Sequence, residues 1–173
     1  MRDIIRPGGR FKQGIRAKGS MINLDDLYNG RILELAANIP RTARLDAPDA
    51  TARAHSKLCG SRLTVDLTMD GNLVTDYGQE VKACLLGQSS AAIVGANIVG
   101  STAAELRAVG ERMRKMLKEN GAPPEGKWAD LAVLEPVRDY KARHASTLLV
   151  FDAVEDAIRQ IEAKRAEIAQ PAG

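Results

Sequence analysis

Apolar and polar residues alternate most cleanly over Arg62-Leu63-Thr64-Val65-Asp66-Leu67-Thr68-Met69, which puts Leu63, Val65, Leu67 and Met69 on one face of a strand. Asp70-Gly71 is a hairpin signal. Leu73 to Tyr77 reads as the return strand, Gly78 as a bulge or bend, and Glu80 to Ala83 as a third short strand. Leu85 to Val99 is a smooth apolar run rich in Ser, Ala and Gly and predicts a helix that neighbours approach closely. Ser101-Thr102-Ala103-Ala104-Glu105 opens the next helix in capping-box spacing, and Asn120-Gly121 closes it. Trp128 to Val137 predicts a short helix. Ala145 to Ala169 predicts a long amphipathic one, with Leu148, Leu149, Phe151, Val154, Ile158 and Ile161 as its stripe. Before the sheet, Asn23-Leu24-Asp25-Asp26 offers a cap for a helix to about Asn38, with Leu27, Ile32, Leu35 and Ala36 inward. Arg41 to His55 shows no apolar period and reads as a loop. The pattern predicts an α+β fold, a small antiparallel three-stranded sheet packed against about five helices.

Composition adds bounds. The chain has 173 residues, 45% hydrophobic and 27% charged, ordinary for one globular domain. Its longest apolar run, Ala91 to Val99, is too short to span a bilayer. Two cysteines cannot build a disulfide framework, and a reducing cytoplasm is the expected setting. The net charge of +3 hides an asymmetry. Residues 1–20 hold Arg2, Arg6, Arg10, Lys12, Arg16 and Lys18 against Asp3 alone, so the remainder is slightly acidic. We therefore expect a basic extension over 1–20, a folded domain over 21–169 and a short tail over 170–173, with no nucleic-acid role.

Three soft or borderline ligands sit at predicted element ends: Cys59 ahead of the alternating strand, Cys84 at the head of the small-residue helix, and His144 just before the long helix. They are candidates for one shared metal or sulfur site. A helix N-terminus favours thiolate at Cys84 and neutral imidazole at His144. Phosphate-binding loops, H-E-x-x-H and a serine nucleophile elbow are all lacking in the sequence.

The pieces Ser56-Lys57-Leu58-Cys59-Gly60, Ala83-Cys84-Leu85-Leu86-Gly87-Gln88-Ser89-Ser90 and Ala142-Arg143-His144-Ala145-Ser146-Thr147-Leu148, in this order and spacing, resemble the iron–sulfur cluster assembly scaffolds of the IscU, SufU and NifU N-terminal type. The resemblance covers about residues 24 to 161. It implies a SufE/NifU-like fold and a non-enzymatic scaffold that assembles or carries a labile cluster. Its partners would be a cysteine desulfurase and recipient apo-proteins. Carried over by motif, Cys59, Cys84 and His144 would be the ligands, His144 or Ala145 standing where the family has a third cysteine. Ser61 stands where the family has an aspartate. Lys141 resembles a basic residue that would hold sulfide by charge. A zinc-containing sulfur-transfer partner of a desulfurase, and an interaction module that binds no metal, are the alternatives.

Overall fold

The computed structural model describes residues 28–170. The expected cap at Asn23 to Asp26 and the extension over 1–20 lie outside them. Helix α1 (Gly30–Ala37) starts at Asn29, whose side chain accepts from the Ile32 N–H. Then come strands β1 (Ala50–His55), β2 (Arg62–Asp70) and β3 (Leu73–Lys82), and helices α2 (Leu85–Asn97) and α3 (Ala103–Lys118). A 3-10 segment (Gly126–Asp139) and helix α4 (Lys141–Ala169) complete the chain.

The sheet has the order β1-β2-β3 and is antiparallel throughout. Three strands were expected, but two are drawn differently. Residues 50–55, read as loop, form edge strand β1, paired from Ala50↔Leu67 to His55↔Arg62. Its inward side chains are alanines, too small to register as apolar alternation, yet Ala50 and Ala52 are buried against β2's neighbours. The two short strands expected around Gly78 are one continuous β3. Gly78 does not bend it. A Cβ there would strike the carbonyl oxygen of Ala43, which crosses the outer face of the sheet at that point.

The 3-10 segment is explained by spacing. Trp128, Leu131, Leu134 and Val137 recur every third residue and are all buried, which matches a helix of three residues per turn. Thr102 caps α3 by accepting from the Glu105 N–H, as the capping-box spacing predicts. Helix α4 begins four residues earlier than expected, at Lys141, and packs along β1 and β2.

One core lies between the inner sheet face and the helices. It includes Val65, Leu67 and Tyr77 from the strands, Ile93 from α2, Met113 and Met116 from α3, and Ile158 from α4. Nine of the thirteen α2 residues are buried, which its small side chains permit. A Cβ on Gly87 would lie 2.8 Å from Ala83 Cβ and 3.1 Å from the Ser146 carbonyl oxygen. Glycine therefore lets the heads of α2 and α4 meet beside the end of the sheet. Among the described residues no helix is long and apolar enough to cross a membrane.

Candidate functional site

Three segments converge at that end of the sheet. The first is the β1–β2 loop, held by the Ser56 N–H on Ser61 O at 2.8 Å and the Gly60 N–H on Ser56 O at 2.9 Å. Gly60 has φ of 71°, a conformation glycine adopts without strain. This loop carries Cys59. The second is the junction of β3 and α2, where Cys84 occupies the N-cap position without its thiol capping the helix. The third is the second turn of α4, which carries Ser146.

Ser61 links the two cysteines. Its Oγ lies 3.0 Å from Cys59 Sγ and accepts the Cys84 backbone N–H at 3.2 Å. Ser56 Oγ is 3.5 Å from Cys59 Sγ, and Ser146 Oγ is 3.4 Å from Cys84 Sγ. Both cysteines are free and half-buried, while Ser56, Ser61 and Ser146 are buried. The site is thus two thiols set among three hydroxyls.

The hydroxyls alter the acidity of Cys59. Partial burial pushes its thiol up. The Ser56 and Ser61 hydroxyls, the Ser61 backbone N–H and the Ser146 hydroxyl outweigh burial and bring the pKa down to about 7. Ser61 is well placed for this: its oxygen accepts the Cys84 N–H, and its proton turns to the Cys59 sulfur when that is thiolate. The sequence pointed to Cys84 as the activated thiol on helix-terminus grounds; the structure draws Cys59 toward thiolate, with Ser61 joining it to the Cys84 N–H.

The expected cluster of Cys59, Cys84 and His144 does not form. Among the described residues no group of three or more His, Cys, Asp or Glu side chains could hold a metal ion. His144 is in the first turn of α4, not ahead of it, and is buried. Its Nε2 lies 3.0 Å from Val137 O and 3.1 Å from Arg138 O, tying α4 to the end of the 3-10 segment. Two positions on, Ser146 projects from nearly the opposite side of the helix, and it is Ser146 that meets the cysteines. Lys141 goes with His144, not with the thiols. Both line a cavity of about 640 Å³ with Lys118 and Arg138. The described residues therefore supply two thiols and no set of four ligands of the kind structural zinc takes. Ser146 and Ser56 were missed in the sequence. Ser146 was within the quoted motif, and only helix phase distinguishes it from His144.

A three-stranded antiparallel sheet under a helical layer, with two cysteines and a helix-head serine at its open end, defines the class: a small α+β protein with a dithiol site. No family model matches the chain. It is 60% identical to the crystal structure of a nitrogen-fixing NifU-like protein (N-terminal) from Brucella abortus, covering 82% of this chain and 98% of that one, with a TM-score of 0.80. It is 24% identical over 135 residues to the iron-sulfur cluster assembly scaffold protein IscU of Thermotoga maritima, covering 78% of this chain and 94% of that one. A putative iron-sulfur cluster assembly scaffold protein for the SUF system from Fervidobacterium islandicum AW-1 shares the fold, with a TM-score of 0.72 at 18% identity over 79% of this chain and 99% of that one. The chain belongs to the IscU/SufU/NifU N-terminal family.

Proposed function

We propose that this protein is a scaffold of iron–sulfur cluster assembly, which receives sulfur and iron, holds a nascent cluster as cargo and passes it to recipient proteins. The carrying observation is that Ser61 joins Cys59 Sγ and the Cys84 N–H within one site, with the Cys59 thiol near neutral acidity. The relatives' names, scaffold proteins of iron-sulfur cluster assembly, support the same reading.

Sulfur uptake follows from the acidity. At neutral pH about half of Cys59 is thiolate, the nucleophilic form. It attacks the outer sulfur of a donor persulfide, a new S–S bond forms, and the donor's own S–S bond breaks to release the donor thiolate. The donor class is a cysteine desulfurase. The chain itself turns over no substrate, and a reducing compartment such as the cytoplasm keeps both thiols available. Cys59 and Cys84 are the cluster ligands in this reading, and Ser146, not His144, stands at the third ligand place. A neutral hydroxyl is a poor ligand for a soft metal, so cargo is held loosely.

Anaerobic reconstitution with ferrous iron and sulfide tests this. Wild type should develop visible cluster absorption, Cys59→Ala and Cys84→Ala should not, and Ser146→Cys should hold the chromophore longer in air. His144→Ala should leave the chromophore intact when the protein is folded. Wild type without any chromophore overturns the scaffold reading in favour of an interaction module that binds no metal.

A further inference from the structure

Among the described residues the outer sheet face is crossed near its middle. There the chain between α1 and β1 lies across it, with Arg41 O accepting the Gln79 N–H, and with Arg44 bound to the buried Asp66 at 2.6 and 3.0 Å. The end next to the Cys59 loop is open among the described residues. The pairing His55↔Arg62↔Lys82 sets three basic side chains opposite one another across all three strands. Arg53 follows one row inward, in register with Thr64 and Glu80. Arg53, His55, Arg62 and Lys82 are exposed and, with Arg44 and Glu80, line a groove of about 510 Å³.

Like charges placed opposite in a sheet repel and lower stability. The chain does little to relieve this. Arg44 is already committed to Asp66, and Lys82 has Glu80 at 3.5 Å with both side chains in water. Arg53 and Arg62 have no acidic partner among the described residues. Residues 1–20 carry six basic residues against Asp3 alone.

We infer that this open, cationic end of the sheet docks an acidic segment of a protein partner. The surface fits a chain better than a small anion. It is shallow, it crosses three strands over about 10 Å, and it adjoins Leu58, 78% exposed on the same loop as Cys59. It fits a peptide better than a nucleic acid, because no Phe, Tyr or Trp lines the groove to stack on a base and Glu80 stands within it. An extended acidic segment brings every second carboxylate to the same side, where it meets these side chains. A partner held here lies beside the loop that presents Cys59. The inference does not depend on Cys59 or Cys84 carrying a cluster, and its test uses the metal-free protein.

The probe is a fluorescein-labelled peptide of alternating Glu and Ser, with an alternating Gln and Ser peptide as control, read by anisotropy on the full chain. Wild type should bind the acidic peptide only, and less tightly as salt rises. Arg53→Glu with Arg62→Glu should weaken binding by about tenfold or more. Lys118→Glu with Arg159→Glu, the same change in net charge on distant helices, should change it less than about twofold. Arg53→Gln with Arg62→Gln gives a milder pair should the reversal unfold the protein. Equal weakening by both reversal pairs overturns the proposal, because net charge alone would then bind the peptide. Equal binding of a short oligothymidylate overturns it in favour of a nucleic-acid surface. Displacement of the peptide by millimolar inorganic phosphate overturns it in favour of a small-anion site, and loss of peptide binding on self-association makes the face a contact between copies.

Discussion

Replacing Ser61 by Ala tests the account of Cys59 most directly. Ser61 is buried, and its Oγ is 3.0 Å from the Cys59 sulfur, closer than the Ser56 hydroxyl at 3.5 Å. A hydrogen bond to a charged group contributes about 1.5–3 kcal/mol, or about one to two pKa units. Ser56, Ser146 and the Ser61 backbone N–H remain in the variant, so a rise of about one unit is expected. Cys59 would then titrate near 8 instead of about 7. At pH 7 its thiolate fraction would fall from about one half to about one tenth. The more basic thiolate is about threefold more nucleophilic, with a Brønsted coefficient of about 0.4–0.5. The two effects nearly cancel at pH 7, leaving a rate only about twofold lower. Above pH 9 the variant should react about threefold faster than wild type. The assay is therefore a full pH profile of iodoacetamide alkylation in a Cys84→Ala background, not a rate at one pH. Coincident midpoints with and without the Ser61→Ala substitution would refute the assignment of Cys59 acidity to this hydroxyl.

Three further outcomes are expected. Asp66→Asn should cost about 2 kcal/mol, lowering Tm by about 4–8 °C, because a fully buried carboxylate holds Arg44, Thr51 and the Leu45 N–H. Burial pushes the Asp66 carboxyl up, but these bonds hold it below the ordinary range, so its contribution is complete above about pH 4 and lost as pH falls further; the Tm gap between the two proteins should narrow on acidification. Gly87→Val should cost about 1–3 kcal/mol in a thermal melt, since its Cβ presses on Ala83 and the Ser146 carbonyl. A chain started at Met21 should melt within about 4 °C of the full one, and a larger drop in calorimetry would show that residues 1–20 dock on the domain.

Much of the fold was legible because apolar side chains large enough to mark a face carry most elements. Leu63 to Met69 and the stripe of α4 are of this kind. β1 was not, because alanine has too little side chain to mark an inward face. Gly78 misled for the opposite reason: a glycine inside a strand can serve a bend or a close approach, and only Ala43 above it decides which. In the site, Cys59 and Cys84 were legible as chemistry and as element ends. Their third neighbour was not. Starting α4 at Lys141 instead of Ala145 puts His144 on the helix, where it reaches the carbonyls of Val137 and Arg138, while Ser146, two positions on and about 200° around the axis, reaches Cys84.

The exchange of charged and thiol groups for hydroxyls has a consistent physical effect. An aspartate at position 61 would set a negative charge beside Cys59 and oppose its ionisation. Ser61 does the reverse: it takes the N–H of Cys84 on its oxygen and offers its proton to the Cys59 thiolate. A third cysteine at position 146 would add a thiolate to any bound iron, whereas Ser146 adds a neutral oxygen that soft metals bind poorly. The two serines thus act in opposite directions on two stages of one process. In the proposed scaffold they would make the empty site a better nucleophile near neutral pH and the loaded site a weaker ligand cage, easing both uptake of sulfur and release of cargo. His144 lies apart from the two thiols: buried, it is bound through Nε2 to two carbonyls at the end of the 3-10 segment.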